Sequence, residues 1–279
     1  PSHRRVDLLQ ECLHSVTQHA PAGTDILVVD DGSPDAVVSR TASQFPNVGV
    51  IRLEEQRGFS VAANTGIRAS TGEVVELLND DTTVSAGWVE SCLTHFRDAS
   101  IGAVAPLVLK SPLESDPVID SAGDGYHHVG LAWKNHHGKR VSQVNLNRRR
   151  VFGVSASSAF YRRSALDQVG LFDESMGAYF EDVDLSHRLR RAKFQAIFEP
   201  SSTVHHHVGA SYGEVPDENV VAMQSRNEEL LFWRYLPRGL SWALIPLHFA
   251  VLGVKAWRSW RRGRLRAFLR GRLSACSAR

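Results

Sequence analysis

The stretch VELLNDDT, residues 75–82, decides how the rest of the chain can be interpreted. Its apolar residues lead into a polar turn, a pattern typical of a short buried strand. The strand would end in two adjacent carboxylates, Asp80 and Asp81. Open α/β sheets bind ligands at the carboxyl ends of their strands, and hard oxygen ligands suit Mg²⁺ or Mn²⁺. In isolation, a strand that ends in a solvated turn is the simpler explanation.

A second apolar stretch ends in the same way. Residues 24–29, TDILVV, predict a buried strand that is followed directly by Asp30 and Asp31. If both strands lie in one parallel sheet, both pairs of carboxylates emerge at the same edge and face one crevice. The recurrence is therefore more specific for a ligand site than either pair alone.

Strand and helix patterns alternate along the first part of the chain. Strands are predicted at residues 24–29, 48–53, 74–78 and 101–108, and helices at 6–16, 34–45, 58–70 and 88–96. This alternation predicts an α/β, Rossmann-like fold with a mostly parallel central sheet and helices on both faces. Such a sheet normally opens with a central strand, so we expect the first strand to be truncated here. Residues 110–150 predict loops, with room for a hairpin, over the active face.

Charge is distributed unevenly between the two ends of the chain. Residues 226–279 contain twelve Lys or Arg and two acids, whereas the first 225 residues contain twenty basic and twenty-eight acidic groups. An acidic body argues against a nucleic-acid partner, and a basic tail predicts contact with an anionic surface. The three cysteines indicate neither a disulfide framework nor a metal pattern and favour a reducing compartment. We therefore predict a domain at 1–225 and a helical tail at 226–279.

The tail combines an apolar segment with a basic helix. Tryptophans flank the apolar residues 243–254, a run shorter than a typical membrane span. Among the arginines that follow, apolar residues recur at helical spacing: Leu265, Phe268, Leu269 and Leu273. This pattern predicts an interfacial anchor, which would place the protein at the cytoplasmic face of the plasma membrane. The alternatives are a bundle helix packed on the domain and an RNA-binding arm.

Six motifs, in their order and spacing, resemble those of one protein family. They are VVDDGS (28–33), RGFSVAANTGI (57–67), LLNDDT (77–82), GLFDE (170–174), YFEDVDLSHRLR (179–190) and HHVGAS (206–211). The chain resembles the inverting glycosyltransferases of family 2, with the GT-A fold, and particularly their rhamnosyltransferase-like bacterial members. The resemblance implies metal-dependent transfer of rhamnose or another hexose from a dTDP-, UDP- or GDP-sugar donor. The implied acceptor is a hydroxyl of a glycan or a polyprenyl-linked molecule.

The resemblance assigns nucleotide-sugar contacts to residues in the first two motifs. Asp30 and Asp31 match the nucleotide-binding acids of the family, and Asp30 is preferred because Asp31 alone could cap the following helix. Arg57 and Gly58 match a loop that lies against the base, although Arg57 is equally explained as a solvated charge. Asn64, further along the same motif, is expected to support the metal loop through side-chain hydrogen bonds.

The metal site is implied by the third and sixth motifs. Asp81 matches the best-kept acid of the family's Asp-x-Asp motif, but Asn79 replaces the first acid by a neutral ligand. Asp80 would contact the ribose or a metal-bound water. His206 matches the histidine that binds metal or diphosphate, with His205 as the nearest rival. A divalent ion, Mg²⁺ or Mn²⁺, would neutralise the departing diphosphate.

The fifth motif supplies the catalytic carboxylates that the resemblance implies. Asp182 matches the base that takes the proton of the acceptor hydroxyl, and Glu181 would orient the acceptor or Asp182 itself. Acids in the first turn of a helix are alternatively explained by capping. Two other functions are weighed against an enzyme of this family. One is a GT-A module that binds a sugar nucleotide or glycan without turnover, and the other is a nucleotidyltransferase.

Overall fold

The computed structural model describes residues 1–112, 114–207 and 217–277. Its strands are β1 (Ile26–Asp30), β2 (Val48–Arg52), β3 (Val74–Leu78), β4 (Thr82–Val84), β5 (Ile101–Lys110), β6 (Ile119–Ser121), β7 (Asp124–His127), β8 (Leu131–Lys134), β9 (Arg149–Val151), β10 (Ser158–Arg162) and β11 (Gln195–His206). Its helices are α1 (Val6–His19), α2 (Val37–Ala42), α3 (Phe59–Ala69), α4 (Trp88–Leu93), α5 (Arg163–Val169), α6 (Glu181–Arg191), α7 (Glu218–Tyr235), α8 (Ser241–Arg261) and α9 (Leu265–Ser277).

The central sheet has the order β3-β10-β5-β11-β4, with β6 added beside β5 and β9 beside β11. Strands β5 and β11 are parallel, whereas β10 runs antiparallel to both β3 and β5. The predicted α/β class is confirmed, but the sheet is mixed rather than mostly parallel. The difference arises because β10 follows a long excursion of the chain and returns between two strands that precede it.

The two strands that end in Asp-Asp lie in different sheets, so the prediction of a single sheet is wrong. Strand β1 pairs only with β2 among the described strands, in a separate parallel ribbon. The two strand ends nevertheless meet at Ser2. Its backbone N–H donates to Val29 O at 2.9 Å, and its Oγ donates to Asp80 Oδ2 at 2.6 Å. Both carboxylate pairs therefore reach one region of the molecule, as the sequence predicts.

Helices cover both faces of the central sheet, as predicted. Alternate residues of a strand point to opposite faces, and β10 illustrates the division. Tyr161 packs in a cluster with residues of α3, α5 and α6, whereas Phe160 packs with residues of α1 and α4. The region predicted as loops contains the β7–β8 hairpin, in which Asp124 pairs with Lys134.

The C-terminal helices are continuous with the domain. Helix α7 spans the boundary predicted between residues 225 and 226, so the helical segment does not begin there. Helix α9 packs against α7, where Phe268 is buried and its carbonyl accepts from Ser225 Oγ at 2.7 Å. The bundle-helix alternative therefore describes this side of α9. Helix α8 carries most of the large exposed apolar side chains of this region, and α9 carries two more; they are Trp242, Leu247, Phe249, Val254, Trp257 and Trp260 on α8 and Leu269 and Leu273 on α9.

A buried ionic cluster joins these helices. Glu229 of α7 accepts from His248 Nε2 of α8 at 3.1 Å and from Arg272 Nη1 of α9 at 2.8 Å. Glu228 pairs with both Lys255 and Arg272. Burial raises the pKa of Glu229, but hydrogen bonds from His248 and Trp233 and the charge of Arg272 lower it to about 2. The carboxylate therefore remains ionised inside the bundle.

Replacing Glu229 by Ala should lower the free energy of unfolding by about 3 kcal/mol, because it removes the buried carboxylate that both His248 Nε2 and Arg272 Nη1 contact. The folded-state pKa is depressed, so the stabilisation is complete above the ordinary value of 4.5 and is lost as the pH falls towards 2. Thermal unfolding of both proteins across this pH range measures the difference. Glu218→Ala, on the exposed start of the same helix, is the matched control. An equal loss in both variants would contradict the role of the cluster.

Candidate active site

Asp80 and Asp81 directly follow β3 and share one guanidinium group. Arg5 Nη2 lies 2.7 Å from Asp80 Oδ1, and Arg5 Nη1 lies 2.7 Å from Asp81 Oδ2. Burial raises the pKa of Asp80 despite the opposing charge of Arg5. Burial also acts on Asp81, but hydrogen bonds and charges from His206 and Arg5 hold its pKa well below the ordinary value. Asp81 is therefore the carboxylate of this pair that is held firmly ionised.

His206 is brought to Asp81 by strand pairing. It is the last residue of β11 and pairs with Thr82 at the start of β4. Its Nε2 lies 3.2 Å from Asp81 Oδ1, and its Nδ1 lies 3.1 Å from Asp120 Oδ2. The ring of His205 instead contacts Ser85 Oγ at 3.0 Å. The geometry supports the choice of His206 over His205, while residues 208–211 of the same motif lie outside the described part of the chain.

The residues at this point suit a divalent cation. Among the described residues, no group of three or more His, Cys, Asp or Glu is placed to hold a metal. A carboxylate oxygen of Asp81 and an imidazole nitrogen of His206 are nevertheless adjacent, and both are ordinary ligands of Mn²⁺. Mg²⁺ and Mn²⁺ sites with few protein ligands are completed by substrate phosphates and water. Asn79 is held through its backbone, which donates to Ser157 O at 3.1 Å, and its ligand role remains a prediction.

Asp30 closes the turn at the end of β1. It has no exposed surface, and its carboxylate accepts from Ser33 and Ser39 and contacts Arg52 Nη1 at 3.1 Å. Burial raises the pKa of Asp30, but the hydrogen bonds from Ser39 and Ser33 outweigh it and the net pKa lies below the ordinary value. Here Asp30, rather than Asp31, acts as the cap of the following helix. Its predicted contact with the nucleotide remains a prediction.

Asp31 fixes the loop that the sequence places against the base. Its carboxylate oxygens accept from the backbone N–H groups of Arg57 at 2.6 Å and Gly58 at 2.9 Å. Gly58 has φ +88°, a conformation that L side chains rarely adopt, so glycine is required at this turn. The Arg57 side chain is exposed, and its guanidinium lies 3.9 Å from Glu55. It is therefore available to an incoming anion or base.

The prediction that Asn64 supports the metal loop is wrong. Its side chain is 1% exposed, and its amide makes hydrogen bonds with the segment that precedes α6. Nδ2 donates to Phe172 O and to Glu174 Oε1, both at 2.9 Å, and Oδ1 accepts from Phe172 N–H at 3.0 Å. Asn64 therefore ties α3 to residues 172–174 and has no amide atom left for a nucleotide.

Asp182 and Glu181 open α6 after a strained turn. Tyr179 and Phe180 have φ values of 67° and 68°, a conformation that is costly for residues with a side chain. Asp182 Oδ2 accepts from Ala156 N–H at 3.0 Å, and Oδ1 accepts from Val183 N–H at 2.8 Å. Each oxygen keeps a lone pair for a substrate hydroxyl. Burial raises the pKa of Asp182, and burial with the adjacent Asp182 charge raises that of Glu181.

Asn227 of α7 holds this turn and was not anticipated from the sequence. It is fully buried, and its Nδ2 donates to the carbonyls of Met176, Ala178 and Tyr179 at 2.8, 3.0 and 2.9 Å. Since three carbonyls depend on one amide, the conformation that presents Asp182 depends on Asn227. It is a positioning residue, and no motif of the chain signals it.

We expect Asn227→Ala to lower kcat by about 10²-fold, because small displacements of a catalytic group have effects of this size. The thermal stabilisation given by a bound sugar nucleotide should stay near the wild-type value, since the donor contacts lie elsewhere. Steady-state kinetics measures kcat, and thermal-shift titration measures the stabilisation by the sugar nucleotide. Asn219→Ala, on the exposed first turn of the same helix, is the control. Wild-type kcat in a folded Asn227→Ala protein would refute the positioning role.

Charged contacts connect the two carboxylate centres. From Asp81 they pass to His206 and Asp120, and Asp120 Oδ2 lies 2.8 Å from Lys134 Nζ. The carboxylates of Asp120, Asp124 and Asp182 raise the pKa of Lys134 above its ordinary value against the effect of its burial. Burial and the Asp182 charge in turn raise the pKa of Asp124. The predicted metal residue and the predicted base are therefore linked by one series of charged side chains.

The residues that β6 and the β7–β8 hairpin contribute to this series were missed by the sequence analysis. Asp120, Asp124 and Lys134 lie where the chain was predicted to cover the active face, but no motif distinguishes them there. The available indication was the spacing of Asp124 and Tyr126, which places both side chains on one side of a strand. Arg5 was missed as well, because nothing in its local sequence indicates a partner seventy-five residues away.

Comparison with known proteins gives one family match and several relatives. Residues 1–170 match the family described as glycosyl transferase family 2. The chain is 30% identical over 275 residues to the N-acetylglucosaminyl-diphospho-decaprenol L-rhamnosyltransferase of Mycobacterium tuberculosis, covering 90% of this chain and 87% of that protein. It is 34% identical over 185 residues to the pre-mycofactocin glycosyltransferase of the same species, covering 66% of this chain but 37% of that longer protein.

Solved structures support the fold. GalNAc-T7 with UDP, GalNAc and Mn²⁺ matches with a TM-score of 0.61 at 18% identity, covering 81% of this chain and 46% of that chain. The mannosyltransferase PcManGT from Pyrobaculum calidifontis, with GDP-Man and Mn²⁺, matches with a TM-score of 0.59 at 17% identity, covering 100% and 74%. The GT-A fold expected from the sequence is confirmed. The family match extends over more than half of this chain, so the chain belongs to glycosyl transferase family 2.

Proposed function

We propose that the protein is a metal-dependent, inverting glycosyltransferase that moves a sugar from a nucleoside-diphosphate donor to a hydroxyl of a lipid-linked glycan. The observation that carries this proposal is the series of charged contacts from Asp81 through His206 and Asp120 to Lys134 beside Asp182. It supports a sugar-diphosphate site at Asp81 and a proton acceptor at Asp182 within one group of charged residues.

The roles of the residues follow from their surroundings. Asp182 is ionisable, partly exposed and held by two backbone N–H groups, so it is suited to take the proton of the attacking hydroxyl. Lys134 favours the ionised form of Asp182 through its positive charge. Asp81 and His206 would hold Mg²⁺ or Mn²⁺, which supplies positive charge to the diphosphate as it departs. The loop at Arg57 and Gly58 would lie against the nucleotide.

The relatives make the substrate classes more specific. The rhamnosyltransferase relative is named for an acceptor in which a sugar is joined by a diphosphate to decaprenol. Two solved proteins of the same fold contain a UDP or GDP-sugar together with Mn²⁺. We therefore infer that this protein uses a dTDP-, UDP- or GDP-sugar, with rhamnose as one candidate, and a polyprenyl-linked acceptor at the cytoplasmic face of the membrane.

A panel of sugar nucleotides tests the donor class. We expect one nucleotide series to raise the melting temperature when Mn²⁺ is present and to have little effect without it, because the diphosphate binds through the ion. Differential scanning fluorimetry with dTDP-, UDP- and GDP-sugars, each with Mn²⁺ or EDTA, measures this. Nucleoside monophosphates are the matched control, since they lack the diphosphate. Stabilisation that is equal with EDTA would contradict metal dependence.

We infer that α8 is the part of the tail that meets the membrane. By length and composition the helix at residues 238–261 could cross a membrane, since an 18-residue stretch within it has a mean hydropathy of 1.4. His248 in its middle is buried, however, and hydrogen-bonded to Glu229 and to Val129 O at 2.8 Å. This attachment favours a helix that lies along the domain with its other side towards lipid. Tryptophans on that side and arginines nearby suit an anionic membrane surface.

The double variant Trp242→Ser/Trp260→Ser should lose most binding to vesicles that contain phosphatidylglycerol. Both indoles are exposed, at 78% and 63%, so their removal should not unfold the protein. Vesicle sedimentation measures the bound fraction. Trp133→Ser removes another exposed indole, on the β7–β8 hairpin, and should leave vesicle binding unchanged. Equal vesicle binding by the wild type, the double variant and Trp133→Ser would exclude α8 as the membrane-facing element.

A further inference from the structure

A cavity lies at the opposite end of α6 from Asp182. Its volume is about 1050 Å³, and it is enclosed by the last turn of α6, the end of α7 and the connection into α8. Its walls combine aromatic rings with guanidinium groups, among them Tyr126, Phe152, Arg190, Arg191 and Arg238. The function proposed above uses none of these side chains.

Three of the arginines in this wall have no neutralising carboxylate. Within the described ranges, no Asp or Glu oxygen lies within 4.0 Å of Arg190, Arg191 or Arg238. A fourth arginine, Arg234, differs because Asp173 and Asp184 each lie 2.8 Å from its Nη1. In the part of the chain that the structure describes, these three exposed guanidinium groups therefore give the cavity a positive charge that no carboxylate contacts. Guanidinium groups in this state are the preferred ligands of phosphate oxygens.

Two of these guanidinium groups are held in place by aromatic rings. Arg190 lies 5.3 Å from the centre of the Phe152 ring, and Arg191 lies 5.2 Å from that of Tyr235. Tyr235 is itself stacked on His187, with ring centres 3.9 Å apart. Burial lowers the pKa of His187 to about 3, so the imidazole adds no charge of its own at neutral pH. Preorganised cations of this kind bind an anion with little loss of side-chain freedom.

The cavity is at a suitable distance from the proposed base. Eight residues separate Asp182 from Arg190 on α6, which corresponds to about 12 Å along the helix axis. On the facing hairpin, Tyr126 of the cavity lies two positions after Asp124, on the same side of β7. Arg190 and Arg191 are turned by about 80° and 180° from Asp182 around the helix axis, so an acceptor that reaches both Asp182 and the arginines would extend along α6 and partly around it. The start of α8, Ser241, also lines the cavity and leads to the exposed indole of Trp242.

We propose that this cavity binds the diphosphate of the lipid-linked acceptor, with Arg190, Arg191 and Arg238 as its ligands. The assignment rests on the proposed function and extends it from a class of acceptor to the groups that recognise it. Tyr126 and Phe152 border the acceptor sugar between the two ends. The lipid chain leaves along α8, which accounts for an apolar helix beside a polar cavity.

The test compares two synthetic acceptors that share the same sugar and the same alkyl chain. One carries a diphosphate between sugar and chain, and the other is the simple alkyl glycoside. Wild-type protein should prefer the diphosphate in kcat/KM. Arg190→Gln/Arg191→Gln should lower kcat/KM for the diphosphate at least about tenfold, as expected for lost hydrogen bonds between charged groups. Its kcat/KM for the glycoside and its stabilisation by donor should match the wild type. Arg97→Gln, an exposed arginine outside this wall, is the control.

The outcomes separate this assignment from the proposed function. Transfer by wild-type protein to both acceptors with no preference, or a preference that persists in the double variant, overturns the phosphate site and leaves the function intact. Absence of transfer to either acceptor, with every donor of the panel, overturns the function and the site together. Loss of binding to phosphatidylglycerol vesicles with an unchanged acceptor preference would assign the arginines to a phospholipid headgroup and also overturn the proposal.

Discussion

Replacing Asp182 by Asn should lower kcat by 10²- to 10⁴-fold, the usual contribution of a general base. Asn keeps the size of the side chain and can still accept the N–H of Ala156, but it cannot take a proton. The stabilisation of the protein by sugar nucleotide and Mn²⁺ should be retained, because Asp182 does not contact the donor site directly. Stopped-time transfer assays and thermal-shift titrations on the same preparations measure both quantities.

Glu181→Gln is the matched comparison for this variant. Glu181 is adjacent in sequence and 4% exposed, and burial raises its pKa well above the ordinary value. A raised pKa favours the neutral form of Glu181, which resembles an amide more closely than a carboxylate does, so we expect a smaller loss of kcat than in Asp182→Asn. If Asp182→Asn retained activity, Asp182 would not be the base. This result would not support the alternative of a module that binds without turnover, because the protein would still transfer sugar. If both variants and the wild type bind donor and none turns over, the binding module is correct.

The pH dependence of kcat gives an independent test. Burial raises the pKa of Asp182 above the ordinary 3.8, and the base must be ionised to act. Activity should therefore rise with pH through this raised value and be lost below it. Lys134 lowers the pKa of Asp182 through its charge, so Lys134→Met should move the acid limb of kcat to higher pH. A limb that stays in place would show that another group controls it.

The part of the fold that could be predicted is the part that local pattern determines. The apolar runs that precede Asp30 and Asp80 were correctly predicted as strands, because burial and turn chemistry act within a few residues. The single sheet expected to contain both was not found. The sheet order could not be predicted in this way. Strand β10 enters the centre of the sheet antiparallel to both neighbours, and its sequence is compatible with either direction.

The candidate site was predictable only where a motif marks it. His206 and Asp182 were identified by resemblance, and the structure brings the first beside Asp81 and the second beside Lys134. Asn227 could not be found, because its role is to satisfy carbonyls of a turn fifty residues away. In the basic helix α9, by contrast, a sequence pattern was recognised, but its surroundings in the fold could not be predicted from it. Its amphipathic pattern is real, but Phe268 is buried against α7 and Arg272 pairs with Glu228 and Glu229, while Leu269 and Leu273 of the same pattern are exposed.

Replacing Asp81 by Asn should abolish the Mn²⁺-dependent part of donor binding and lower transfer by about 10²-fold or more, since metal charge contributes several kcal/mol at a departing diphosphate. Asp81 is the better ligand of the pair because its pKa is held low and His206 Nε2 lies 3.2 Å from its Oδ1. Asp80 instead accepts from Ser2 Oγ and shares Arg5. Titration of Mn²⁺ at fixed donor concentration measures the apparent metal affinity of each variant.

The comparison of three substitutions locates the ion. Asp81→Asn and His206→Gln should each weaken the apparent affinity for Mn²⁺, while Asp80→Asn should mainly raise the KM for donor at saturating Mn²⁺. The reason is that a ligand change alters metal affinity, whereas loss of a ribose contact does not. Equal shifts in all three variants would mean that Arg5 binds the two aspartates as one unit and that the metal lies elsewhere. An unchanged affinity in Asp81→Asn and His206→Gln would remove the proposed metal from this cleft and leave Arg5 as its principal positive charge.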